Sequence, residues 1–139
     1  MLERSFDVER INAVVNHPEV RPGVGDPDSG DLDVAPLVER AEHWFLMGEH
    51  GGFLLSWSAP KVREVHTFIL PEGRGKWGAV ARANMIAYAR DNGTKMLWTK
   101  IAPGDRHVDR YARQGGMQLT QEVIETFGEP YRVYSMELS

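Results

Sequence analysis

The stretch that most constrains this chain is Ile69-Leu70-Pro71-Glu72-Gly73-Arg74-Gly75-Lys76-Trp77-Gly78-Ala79. It reads as the end of a strand, a Gly-rich loop and the start of a small-residue helix in immediate succession. A helix start leaves its first N–H groups unpaired and carries partial positive charge, so a loop entering it can cradle phosphates. Arg74 and Lys76 add formal charge at the same place. Gly73, Gly75 and Gly78 satisfy G-x-G-x-x-G literally, yet a dinucleotide fold needs a short βαβ unit and an acidic ribose anchor about 20 residues further on. Here the loop follows three strands, and the next strand, Lys95 to Ile101, ends in no acid. A Walker loop is excluded because no Gly-Lys-Ser/Thr is present.

The chain has 139 residues, which suits one domain spanning 1–139. Hydrophobic residues make up 42%, enough for a core without covalent staples. There is no cysteine, which excludes disulfide scaffolds, thiolate metal sites and a cysteine nucleophile. A net charge of -4 argues against a general nucleic-acid binder. No apolar run approaches the roughly 18 residues of a membrane span, and the first residues show no secretory h-region. The expectation is a cytoplasmic protein.

Along the chain, Phe6 to Val15 places Phe6, Ile11, Val14 and Val15 on one side of a helix with Asp7 as N-cap, and His17-Pro18 ends it. Pro18 to Asp33 is a long irregular loop rich in Pro, Gly and Asp, followed by a short helix around Pro36 to Ala41. Trp44 to Met47, Gly52 to Ser58 and Val62 to Leu70 read as strands of an antiparallel meander. Alanines at 79, 81, 83, 87 and 89 mark a helix over Trp77 to Arg90 that packs closely on a sheet, with Gly93 as its stop. Lys95 to Ile101 is a strand, Asp105 to Gln114 a helix, and Met117 to Glu125 with Tyr131 to Leu138 a closing strand pair. The order α-α-β-β-β-α-β-α-β-β makes an α/β (α+β) sandwich.

These residues resemble the GNAT acyltransferases, whose cofactor loop reads R/Q-x-x-G-x-G/A after a strand ending in V-x-P-x-x. Ile69 and Pro71 fill the V and P positions, Arg74 the R, and Ala79 the last G/A. Beyond the next strand, Asp105 to Met117 matches the family's N-x-x-A, Tyr and G-F segment, with Gly116-Met117 in place of G-F. The resemblance runs over about residues 43 to 138 and implies a mixed, mostly antiparallel sheet flanked by helices. Asn16-His17-Pro18, Glu64-Val65-His66 and Leu70 to Gly75 further resemble divergent GNAT-like proteins encoded by bacteriophages. The sequence departs from the pattern at Trp77, where the motif has a central Gly; at Asp105, where it has Asn; and at Ala112, where a Tyr often serves as general acid.

The resemblance implies acyl transfer from acetyl-CoA as cosubstrate to an amine of a small molecule or protein. It implies that backbone groups of Phe68, Ile69 and Leu70 pair with the pantetheine arm and polarise the thioester. The loop residues Arg74, Gly75, Lys76, Trp77, Gly78 and Ala79 would bind the pyrophosphate. Glu64 and His66, two apart on one strand, point to one face and are the candidate bases, because such a reaction needs a proton acceptor for the amine. Tyr111, one residue from the family's Tyr position at Ala112 and so rotated by about 100° on the helix, is the nearby phenol that could donate to the departing thiolate. The acceptor would be chosen by the loop Pro18 to Asp33. The departures also allow a second expectation, a GNAT fold whose catalysis has lapsed and which acts as a virion-associated or protein-binding module with a phage or host protein as partner. No histidine spacing fits a metal, and Asp26, Asp28, Gly30 and Asp31 miss the calcium-loop pattern at its Gly and at position twelve, Leu37.

Overall fold

The computed structural model describes residues 1–139. Seven strands form one sheet: β1 Glu3–Arg4, β2 His43–Gly48, β3 Gly51–Ala59, β4 Val62–Ile69, β5 Met96–Ile101, β6 Gln118–Thr126 and β7 Glu129–Glu137. Four helices accompany it: α1 Val8–Val15, α2 Ala35–Val38, α3 Lys76–Asp91 and α4 Arg106–Gln114. Spatial order is β1-β2-β3-β4-β5-β7-β6, and every pairing is antiparallel except β4 with β5. The α+β class and the mostly antiparallel sheet agree with the expectation from sequence.

Because side chains alternate along a strand, each face of the sheet builds its own core. One face carries Phe53, Leu55, Val65 and Leu97, and packs against Ala81, Met85 and Ala89 of α3 and Ala112 of α4. The other carries Phe45, Met47, Leu54 and Phe68 under Ile11, Val14 and Val15 of α1 and Val38 of α2. The alanine stripe of α3 lets that helix lie close to the sheet. Gly93 follows the C-cap Asn92 with φ +91°, the left-handed stop that glycine tolerates.

Three local expectations change. Asp7 does cap α1, accepting from the Arg10 N–H at 3.1 Å, but Phe6 precedes the cap, is 63% exposed and lies over the Arg4 guanidinium at 5.0 Å. The short second helix ends at Val38, well before Ala41. A two-residue strand, β1, pairs with β2 through Glu3–Met47 and Arg4–Leu46; two residues are too few for any alternation to register. The Pro18 to Asp33 loop is ordered by side chains. Arg21 donates to the carbonyls of Val24, Asp26 and Gly30, while Asn16 both donates to and accepts from Leu32.

Candidate active site

The parallel pair β4–β5 is in register for only three residues, Val62–Met96, Arg63–Leu97 and Glu64–Trp98. Beyond Glu64 the two strands continue, to Ile69 and Ile101, without pairing. The mouth of this split is bridged by a side chain, with Thr99 Oγ1 donating to the Val65 carbonyl at 3.0 Å. That bond fixes the direction of the β4 backbone. Val65 faces β5, so Thr67 and Ile69 also turn their N–H and C=O groups into the split, since successive strand residues alternate.

Phe68 and Leu70 face the other way. The Leu70 N–H donates to the His50 carbonyl at 2.9 Å, and the Phe68 ring is buried beneath α1. Of the three backbone positions expected from sequence, Ile69 therefore opens into the split, and Thr67, which the sequence reading missed, joins it. Only the register of β4 against β5 reveals this.

A narrow pocket of about 420 Å³, including its open mouth, fills the split on the α3–α4 face. Val65, Thr67 and Thr99 form its floor, Arg82 and Met85 of α3 one wall, and Tyr111 of α4 the other. At its upper end stands the start of α3. Gly75 is the N-cap with φ +99°, a conformation favouring glycine, and no side chain caps the helix. The first helical bond runs from the Ala79 N–H to the Gly75 carbonyl, at 3.0 Å. The N–H groups of Gly75, Lys76, Trp77 and Gly78 have no backbone or side-chain acceptor, so four donors remain free, whereas that of Ala79 is taken.

Gly78 is the close-packing position of this turn. A Cβ there would stand 3.0 Å from the Gly73 carbonyl oxygen and 3.7 Å from Tyr111. The Trp77 indole turns away from the four free donors. It lies against Gly48 and Gly73 and meets His50 edge-on at 5.2 Å between ring centres. Arg74 also leaves the loop: its Nη2 donates to the Glu19 carbonyl at 2.8 Å and its Nη1 lies 3.7 Å from the Glu19 carboxylate. It ties the Pro18 to Asp33 loop to the Gly-rich loop. Lys76, exposed and in no ion pair, is the formal charge that stays with the free amides.

Tyr111 donates from its hydroxyl to the Gly78 carbonyl at 2.7 Å, tying α4 to the first turn of α3. Burial pushes its pKa well up, partly offset by Arg82, whose guanidinium lies 4.6 Å from the ring centre. Ala112, at the place where the motif has Tyr, is buried in the core. Asp105 has a structural task as the N-cap of α4, accepting from the Val108 N–H at 3.2 Å.

Glu64 and His66 lie on the opposite face of β4 from the pocket, at the closed end of the split. His66 Nε2 is 3.4 Å from Glu64 Oε1, with side chains 38% and 18% exposed, so the imidazole stands in front and the carboxylate behind. Burial raises the Glu64 pKa, but the hydrogen bond from His66 and the charges of His66 and Lys100 outweigh it, leaving the carboxyl below its ordinary value. Register extends this row across the sheet, because Glu64 pairs with Ser56 and Ser56 with His43. His43 Nδ1 is 3.0 Å from Ser56 Oγ, and burial is the largest of the effects that lower its pKa. The sequence reading missed His43, whose place beside Glu64 follows only from the pairing of β2 through β4.

No family model matches the sequence, and no curated protein matches it significantly. Solved structures do match its fold over nearly the whole chain. It is similar to a ribosomal-protein-alanine N-acetyltransferase from Brucella melitensis, with TM-score 0.75, 15% identity and 99% of each chain covered. It is similar to a GNAT superfamily phosphinothricin acetyltransferase from Sinorhizobium meliloti in complex with acetyl-CoA, with TM-score 0.72, 15% identity, and 100% of this chain and 88% of that one covered. An aminoglycoside acetyltransferase in complex with coenzyme A gives TM-score 0.70, 16% identity and coverages of 99% and 94%. The fold is that of the GNAT acetyltransferases.

Proposed function

We propose that this chain is an acyl-CoA-dependent N-acyltransferase that uses acetyl-CoA as cosubstrate and an amine as acceptor. The observation that carries the reading is the split between β4 and β5, whose open backbone edge leads to the uncapped start of α3. A long, thin ligand with a polar amide arm and a diphosphate end fits both parts. Thr67 and Ile69 offer the arm strand-like hydrogen bonds, and the free N–H groups of Gly75, Lys76, Trp77 and Gly78 offer the diphosphate donors beside the Lys76 charge. The Ala79 methyl keeps that turn small, and two of the solved structures of similar fold named above hold acetyl-CoA or coenzyme A.

Acetyl-CoA would supply an acetyl group activated as a thioester; transfer converts the amine to an amide and frees the thiol. The chain's residues divide the remaining work. His66, the more exposed of the pair, takes the proton from the amine, directly or through water, and Glu64 behind it orients the ring and stabilises the charge it gains. A backbone N–H at the split, from Ile69 or Thr67, donates to the oxygen on which negative charge develops. Tyr111 lines the thiol side; burial keeps its phenol protonated, and the proton now shared with Gly78 is the one it has to give.

The alternative of a lapsed enzyme acting as a virion-associated or protein-binding module rested on Trp77, Asp105 and Ala112. The packing of Trp77 away from the free amides and the capping role of Asp105 weigh against it, and the likeness to bacteriophage proteins rests on short motifs alone. Release of free thiol from acetyl-CoA, measured across a panel of amines, tests the reading. It predicts release only when an amine is present, falling about 100-fold or more in His66→Gln, within the usual range of general-base contributions. Release without any amine, or none with any, contradicts it.

A further inference from the structure

The lip of the split opposite His66 carries a cation with no partner. Lys100 lies on β5, two residues beyond Trp98, the last residue paired with β4, and so shares the face of Trp98, Glu64 and His66. Its backbone is fixed by pairing with Val133 of β7. Trp98 leaves it uncovered, because the indole Nε1 donates to Ser58 Oγ at 2.8 Å, toward the closed end of the split. Lys100 is half-buried, forms no salt bridge, and is near enough for its charge to act on Glu64. The neighbouring carboxylate is already engaged by His66.

This arrangement bears on the acceptor and rests on the acyltransferase reading above. An amine handing its proton to His66 must sit at the split, and the atoms next to its nitrogen then fall within reach of Lys100. A free ammonium there attracts an anionic group on the acceptor and repels a second cationic one, which is how a single charge sets specificity. We propose that Lys100 selects acceptors that bear a carboxylate near the reacting amine, so that the substrate class is amino-acid-like and excludes simple diamines. In this role Lys100 binds the acceptor and takes no proton from it.

The test compares matched amines with and without the carboxylate: lysine with cadaverine, ornithine with putrescine, phenylalanine with phenethylamine. Thiol release from acetyl-CoA is followed for the wild type, Lys100→Met and Lys100→Glu, each first shown to keep its melting temperature and its affinity for acetyl-CoA. A charge-assisted contact should give the carboxylated partner an advantage in kcat/KM of about tenfold or more in the wild type. That advantage should vanish in Lys100→Met and reverse toward the diamines in Lys100→Glu, mainly through KM. Transfer that ignores the carboxylate, or a preference that survives both substitutions, overturns the role of Lys100 while leaving the acyltransferase reading intact. Absence of transfer to every amine, with acetyl-CoA bound, overturns both.

Discussion

Acid acts on the α1–α2 face of the sheet through His43 and Glu64. For His43, burial favours the neutral ring, Glu42 opposes, and Arg40, His66 and Arg63 add to the lowering. The unfolded chain therefore takes up this proton first. The stability so contributed is complete above about 6.5, the ordinary histidine value, and is lost as pH falls below it. The Glu64 carboxyl is depressed in the folded state, so its contribution is present above its ordinary 4.5 and disappears as pH falls through the lower folded value. Melting temperature should thus fall in two stages on acidification. His43→Gln should remove the upper stage, and Glu64→Gln should shrink the lower one, to which Asp33 and Asp109 also contribute. Thermal melts from pH 8 to pH 3 check this; unchanged profiles in both variants would contradict it.

The start of α3 is where the elements meet, and two substitutions separate its parts. Trp77 fills the space between Gly48, Gly73 and His50, so Trp77→Gly should cost about 2 kcal/mol of stability, less than the roughly 3–5 of a fully buried aromatic. Because the indole lies off the free amides, that variant should not bind acetyl-CoA more tightly; denaturant titration and calorimetry read the two effects separately. Lys76→Ala should weaken acetyl-CoA binding in a salt-dependent way, and more than Arg74→Ala, whose guanidinium is spent on Glu19. Equal losses would show that Arg74 leaves Glu19 to reach the ligand. Apart from β1, the sequence carried the order of elements, and it carried the loop and the Glu64–His66 pair, because each is a local pattern of period, glycine or spacing. It did not carry the direction of Trp77 or Arg74, nor the places of Thr67, His43 and Lys100. Those depend on which strand lies beside which, and a single residue of register reverses every face.

Over the whole molecule, the sheet divides labour by face. The α3–α4 face holds the pocket and the free amides, the α1–α2 face holds Glu64, His66, His43 and Lys100, and the unpaired stretch of β4 and β5 joins them. Arg74 and Glu19 tie the Pro18 to Asp33 loop to the Gly-rich loop, so the two sides are linked at the upper end of β4. No helix is long and apolar enough to cross a membrane.

On the proposed function, the split and the start of α3 form one acyl-CoA site. Titration with acetyl-CoA, followed by thermal shift and confirmed by calorimetry, tests it most directly. A ligand that binds only the folded chain adds about 2.7 kcal/mol at 100 times its dissociation constant, a readily measured rise in melting temperature. That rise is expected, with one molecule bound per chain and the effect reduced in Lys76→Ala. No shift and no heat at millimolar acetyl-CoA would contradict it.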